Sequence, residues 1–135
     1  MVEEFSGRWI EPVFENFDAY LKECGVSFLL RKLAQKIRDT IVIEIDGNKF
    51  VHTSFNSFKD HTLKWTLGEE TLIETIDGRK VYSTFTYENN LLIERQRPFS
   101  DGDKTSYITR EIKDNKLIVT FDCNGVKATH TYKKE

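Results

Sequence analysis

The chain has 135 residues, 39% hydrophobic and 31% charged, with a formal net charge of -2 at neutral pH. That length supports one hydrophobic core and leaves nothing for a second, so 1–135 is expected to fold as a single domain. The near-neutral balance argues against a nucleic-acid surface or a polybasic membrane tail, and Cys24 and Cys123 are too few for a disulfide framework or a metal cluster.

Met1 is followed almost at once by Glu3 and Glu4, with no apolar run suited to a signal peptide or a membrane span. A soluble intracellular protein with reduced thiols is therefore expected. The stretch Gly7 to Pro12 reads as a strand. From Phe14 to Lys36 the pattern changes: Phe17, Tyr20, Leu21, Phe28, Leu29, Leu30, Leu33, Ala34 and Ile37 recur at steps of three and four with charges between them. Asn16 is placed to cap a first short helix, Cys24-Gly25 to end it, and Ser27 to cap a second. An amphipathic helix-turn-helix is the expectation.

The rest is strand. Turn signals recur about every ten residues, at Asp46-Gly47-Asn48, Asp77-Gly78, Glu88-Asn89-Asn90, Ser100 to Asp103, Asp114-Asn115 and Asn124-Gly125, and alternating runs lie between them. So many consecutive hairpins close into a barrel or fold into a sandwich.

Strand parity sorts the side chains into walls. Val126, Ala128, His130 and Tyr132 share one face of the last strand, and the polar set Lys127, Thr129, Thr131 and Lys133 must face water. Ser106, Ile108, Arg110 and Ile112 share an inner face, as do Leu117, Val119, Phe121 and Cys123. Ile41, Ile43, Phe50, Ser54, Leu63, Trp65, Val81 and Phe85 complete the inward set, although any one of them alone is ordinary core.

Arg110 is out of place on such a wall, because burying an unpaired guanidinium costs several kcal/mol. Snorkelling to solvent from a strand end is one escape, but Arg110 sits mid-strand between Ile108 and Ile112. A wet cavity with a polar or anionic guest is the other. If the chain turns near Gly102, Glu94 lies opposite Arg110 on the neighbouring strand, with Gln96 on the same face, and pairing is expected. His52, His61 and His130 also fall on inner parity. They lack the spacing of a metal site. His130 is expected to stay neutral at pH 7 beside Arg110, with anion binding strengthening as pH falls toward 6.

These residues carry a resemblance. Phe5-x-Gly7-x-Trp9, then Glu15-Asn16-Phe17-Asp18-x-Tyr20-Leu21-Lys22-x-x-Gly25-Val26, Arg31-Lys32-x-Ala34, Ser57-Phe58-Lys59, Leu67-Gly68-Glu69-Glu70, Asp77-Gly78-Arg79-Lys80-Val81, Arg110-Glu111 and Thr131-Tyr132-Lys133 resemble the intracellular lipid-binding proteins, the family of fatty-acid-binding and cellular retinoid-binding proteins. The resemblance spans the chain. It implies an all-β fold, a ten-stranded antiparallel up-and-down barrel of the lipocalin-like, or calycin, kind with a helix-turn-helix lid. It also implies an interior site for one long-chain lipophile, a fatty acid or a derivative, with no cofactor and no metal.

In the fatty-acid-binding branch, two arginines and a tyrosine hold the ligand carboxylate. Arg110 and Tyr132 match the first arginine and the tyrosine, and His130 replaces the second arginine, removing a permanent charge and a bidentate fork. The resemblance further implies Gln96 near the head group, Phe17, Tyr20 and Phe58 at the portal, and Asp77 and Arg79 on the cavity wall. Ile108, Val119 and Phe121 are expected to line the cavity. Lys22, Arg31 and Lys32 match a basic nuclear-import signal that some members carry, with a solvated helix face as the plain alternative.

Other classes fit less well. No serine sits in a nucleophile elbow, no cysteine has an evident activating setting, and the acidic residues form no catalytic pair, so an enzyme is disfavoured. A module that contacts membranes or proteins is better read as part of lipid transport, through the helical lid. A retinoid or neutral-lipid carrier is the runner-up, because the glutamines that mark retinol binders are absent at Arg110 and His130. A monomer is expected.

Overall fold

The computed structural model describes residues 2–75 and 78–135. A 3-10 turn, Val2–Phe5, leads into β1 (Gly7–Glu15), α1 (Phe17–Glu23) and α2 (Phe28–Ala34). There follow β2 (Thr40–Asp46), β3 (Lys49–Phe55), β4 (His61–Thr66), β5 (Thr71–Glu74), β6 (Lys80–Glu88), β7 (Leu91–Pro98), β8 (Tyr107–Lys113), β9 (Lys116–Cys123) and β10 (Val126–Lys134).

The strands form one antiparallel sheet in the order β4-β3-β2-β1-β10-β9-β8-β7-β6-β5. Every neighbour is a chain neighbour except β1 and β10, whose pairing converts a meander into a nearly closed barrel. The two edges, β4 and β5, face each other across a gap crossed by a hydrogen bond between His61 Nε2 and the carbonyl oxygen of Glu74 at 3.0 Å.

The turns obey the residues that make them. Asn89 and Asn90, then Asp114 and Asn115, take positive φ in pairs, and Asn124 precedes Gly125 in the same conformation. This is the hairpin turn whose twist matches the strands it joins. β1 runs to Glu15, beyond the expected stop at Pro12, and carries a bulge between Ile10 and Val13 with Glu11 at φ 52. The extra residue bends the strand and lets proline sit where the ladder is interrupted. Phe14, whose spacing suggested a helix, therefore belongs to a strand.

The core follows the parity. Phe5, Trp9, Ile43, Phe50, Val81, Phe85, Leu92, Leu117 and Tyr132 are almost completely buried. Phe5 packs edge-on to Tyr87 at the end of β6, and Trp9 Nε1 donates to the Phe5 carbonyl, so the amino-terminal turn closes the end of the barrel away from the helices. Other inward-facing side chains, including His52, Leu63, Gln96 and Phe121, keep accessible surface, so the interior is not packed solid.

The helices behave differently from each other. α1 buries Tyr20 and Leu21 against a second cluster containing Cys24, Val26, Cys123 and Ala128. α2 buries none of its residues and leaves Leu29 79% exposed. Its expected amphipathic packing is confined to its last turn, where Ala34 packs partly buried against the same cluster, because Phe28, Leu29 and Leu30 turn toward solvent. Ser27 caps α2 by accepting from Leu30 N–H at 3.4 Å. Asn16 is not a side-chain cap. It adopts a left-handed conformation, and its amide donates to the Lys127 carbonyl at 2.8 Å, tying the start of α1 to β10.

Candidate functional site

Two carboxylates organise the polar interior. Arg110 in β8 points inward, 7% exposed, and its Nη1 donates to Glu94 Oε1 in β7 at 3.3 Å. The pair is diagonal and not directly opposite as expected. Leu92 stands across from Arg110 and Glu94 across from Ile108, so the hairpin is centred on residue 101, and that one-residue move shifts the register by two. Glu94 also accepts from Ser83 Oγ and Gln96 Nε2, each at 3.0 Å. Gln96 Oε1 in turn accepts from the Ser106 backbone N–H, holding the β7–β8 connection. Glu94 is thus satisfied by three donors. Arg110 spends one N–H on a long bond, lies 5.1 Å from the Phe85 ring centroid, and has no second protein acceptor among the described residues.

The second carboxylate escaped the sequence reading. Asp39, just before β2, accepts from Tyr132 at 2.8 Å through Oδ1 and from Ser54 Oγ at 2.7 Å through Oδ2. Its signal was parity, since residue 39 continues the inward series of Ile41 and Ile43. Burial raises the Tyr132 pKa well above its ordinary value, and the Asp39 charge and hydrogen bond raise it further, so the phenol stays a donor.

His130 lies between these groups and the lid. Its ring stacks on Phe14 at 3.8 Å and meets Phe17 and Phe121 edge-on, while Arg38 covers the same Phe14 ring. Its Nε2 is buried without a hydrogen-bond partner among the described residues, as is Trp65 Nε1. Burial, then Arg38 and Arg110, lowers its pKa to about 3, and burial with Arg110 does the same for His52. Neutrality at pH 7 follows as expected. Without an anion beside it the ring protonates only far below pH 6, so the expected strengthening of anion binding as pH falls requires the anion itself to raise that pKa. Among the described residues no His, Cys, Asp and Glu cluster is suited to a metal ion.

The lid end is aromatic. Phe17, Tyr20 and Phe121 pack together, Tyr20 bonds Ser106 Oγ at 2.6 Å, and Cys24 Sγ lies 3.7 Å from the same oxygen. Both cysteines are free, and burial together with Cys24 raises the Cys123 thiol to about 12. Ile108 and Val119 line the wall beside Arg110, while Phe58 stands 60% exposed on the β3–β4 turn. Arg79 is on the turn before β6, beside a pocket it shares with Cys24 and Lys104. Asp77 lies outside the described residues. Lys22 and Lys32 are exposed, whereas Arg31 bonds Asp18 at 3.0 Å and the Val26 carbonyl at 2.9 Å. Of the three basic residues, one is therefore a brace between the helices.

A lidded up-and-down barrel with a polar cluster enclosed by apolar walls defines a class of interior-binding β-barrels. A family model described as the lipocalin / cytosolic fatty-acid binding protein family matches residues 6–135, and the chain belongs to that family. It is 38% identical over 135 residues to fatty acid-binding protein homolog 6 of Caenorhabditis elegans, covering all of both chains. It is also 38% identical over 134 residues to human fatty acid-binding protein 9, covering 99% of each. The apo crystal structure of Caenorhabditis elegans lipid binding protein 8 superposes with a TM-score of 0.94 at 30% identity, over 100% of this chain and 98% of that one. A Schistosoma mansoni fatty acid binding protein solved with arachidonic acid gives 0.88 at 29% identity, over 98% of this chain and 96% of that one.

Proposed function

We propose that this chain is an intracellular, cytoplasmic carrier that holds one long-chain lipophile non-covalently inside the barrel, a fatty acid or a close derivative. The observation that carries the reading is Arg110, a cation turned inward among Ile108, Val119 and Phe85 with N–H groups left to offer a guest. Its similar proteins are named for fatty-acid binding, and one was solved with arachidonic acid.

Energetics support a division of labour. Burying about fifteen methylenes at ~0.8 kcal/mol each supplies roughly 12 kcal/mol before ordering costs, whereas a head-group contact nets a few. The tail sets affinity and the head group sets orientation. Arg110, Tyr132, His130, Gln96 and Glu94 form the head-group end, with Phe17, Tyr20, Phe58 and Arg79 around the portal.

Exposed Phe28, Leu29 and Leu30, with Lys32 beside them, suit brief contact with a membrane during loading and release. The carrier works as a monomer and catalyses no reaction. Native mass spectrometry of freshly purified protein, followed by extraction of whatever travels with it, tests the reading. One lipid per chain is expected, and a delipidated protein that takes up no fatty acid, alcohol or retinoid refutes it.

A further inference from the structure

Tyr132 has one hydroxyl proton, and Asp39 holds it. The same Asp39 takes the Ser54 hydroxyl on its other oxygen, so the residue is a two-armed acceptor at the head-group end of the barrel. Glu94 holds the inward face of Arg110. Two carboxylates, Asp39 and Glu94, therefore stand against Arg110 at this end, with His52 and His130 neutral. Arg38, next in the chain to Asp39, keeps its charge on the lid side: its guanidinium bonds the Gln35 and Ile37 carbonyls and lies over the Phe14 ring, from where it acts on His130.

A carboxylate entering this chamber meets two anions and finds its phenol donor engaged. It must displace Asp39 from Tyr132 and leave a second negative charge close by. A hydroxyl head group faces no such conflict, because its oxygen accepts from Arg110 while its proton goes to an Asp39 oxygen or to a neutral imidazole. The unpartnered Nε2 of His130 is a further polar atom at this end that a hydroxyl can satisfy.

We propose that Asp39 is a specificity-determining residue that turns the head-group end of the barrel against carboxylates and toward long-chain lipids with a neutral, hydroxyl-bearing head, such as a fatty alcohol or a monoacylglycerol. The inference rests on the carrier reading and narrows its ligand. A second anion a few ångströms from a carboxylate, at the effective dielectric of a partly wet interior, disfavours it by about 10- to 100-fold.

The test is calorimetric titration of the delipidated full chain with palmitate, hexadecanol and 1-monopalmitoylglycerol, repeated on Asp39→Asn. The wild type is expected to bind the alcohol and the monoacylglycerol at least as tightly as the acid. Asp39→Asn is expected to tighten palmitate by about 10- to 100-fold while moving the neutral lipids less than about 3-fold. Equal shifts for acid and alcohol, or none, overturn the proposal. Binding of no lipid at all would instead overturn the carrier reading and take this inference with it. Should Asp39→Asn fail to fold, the wild type still decides: carbon-13 NMR of carboxyl-labelled palmitate at saturation should show the bound acid titrating above its value for an aqueous carboxylic acid. An unshifted or lowered titration counts against Asp39.

Discussion

Tyr132 and Asp39 are 93 residues apart in the chain and 2.8 Å apart in the barrel. Their bond joins β10, which closes the sheet, to the segment that brings the chain from α2 into β2. The group best placed to greet a ligand thus also anchors the foot of the lid. A ligand that takes the Tyr132 proton loosens that anchor, and one that leaves it alone does not.

Glu94→Gln should raise affinity for palmitate by about 10-fold by removing the anion that holds Arg110, and should leave hexadecanol nearly unchanged. The cost appears in stability, since Arg110 loses its charged partner, and breaking one side of a buried pair destabilises by about 3–5 kcal/mol. Denaturant melts and paired titrations check both halves. A variant as stable as wild type with no gain for the acid would show that the pair does not govern the site.

Acid should unfold the protein through its histidines. His52 and His130 have folded-state pKa values lowered to about 3 from an ordinary 6.5, mainly by burial. Between those values the unfolded chain binds protons that the folded chain refuses. Stability therefore falls as pH drops from about 6.5 toward about 3, by about 1.4 kcal/mol per pH unit for each histidine, with no contribution above that window. His130→Phe should flatten the fall by about half, as read from denaturation midpoints across pH.

Arg31→Ala should speed ligand exchange. The side chain, 14% exposed, braces α1 to the start of α2 through Asp18 and the Val26 carbonyl. Losing both contacts should cost about 1–2 kcal/mol of stability and raise the dissociation rate of bound lipid several-fold, with little change in head-group preference. Stopped-flow release of a fluorescent lipid measures it. The same brace makes Arg31 a poor recognition element, so Lys22→Ala with Lys32→Ala should leave nuclear distribution on lipid loading unchanged.

Leu29→Glu should slow lipid transfer to vesicles by an order of magnitude while leaving equilibrium binding within about 2-fold. Leu29 contributes nothing to the core at 79% exposure, so the substitution removes apolar contact area for a bilayer and adds a charge that anionic lipid repels. Transfer rates that ignore both the substitution and vesicle charge would argue for release through water.

Much of this molecule was legible residue by residue. Paired Asn and Asp at the hairpins, and alternation between them, announced a strand meander because only a few residues tolerate positive φ and only one period suits a half-buried strand. The resemblance supplied strand number and lid. Parity put Arg110, His130, Tyr132 and Glu94 on one wall, where they are. The helical stretch was read less well. Phe14 matched a helical spacing but was claimed by the β1–β10 ladder, and Phe28, Leu29 and Leu30 of α2 stay exposed.

What the chain alone determined was the local alphabet: where it turns, which faces alternate, and that a cation must sit inside. Which groups meet was decided by strand pairing. The β1–β10 closure brought Asp39 under Tyr132, and the β7–β8 register set Glu94 diagonal to Arg110, because register depends on a loop centre that no single residue encodes. Burial of His130 between Phe14, Phe17 and Phe121 is likewise a property of the assembled barrel, and it, more than the neighbouring cations, sets the charge of that ring.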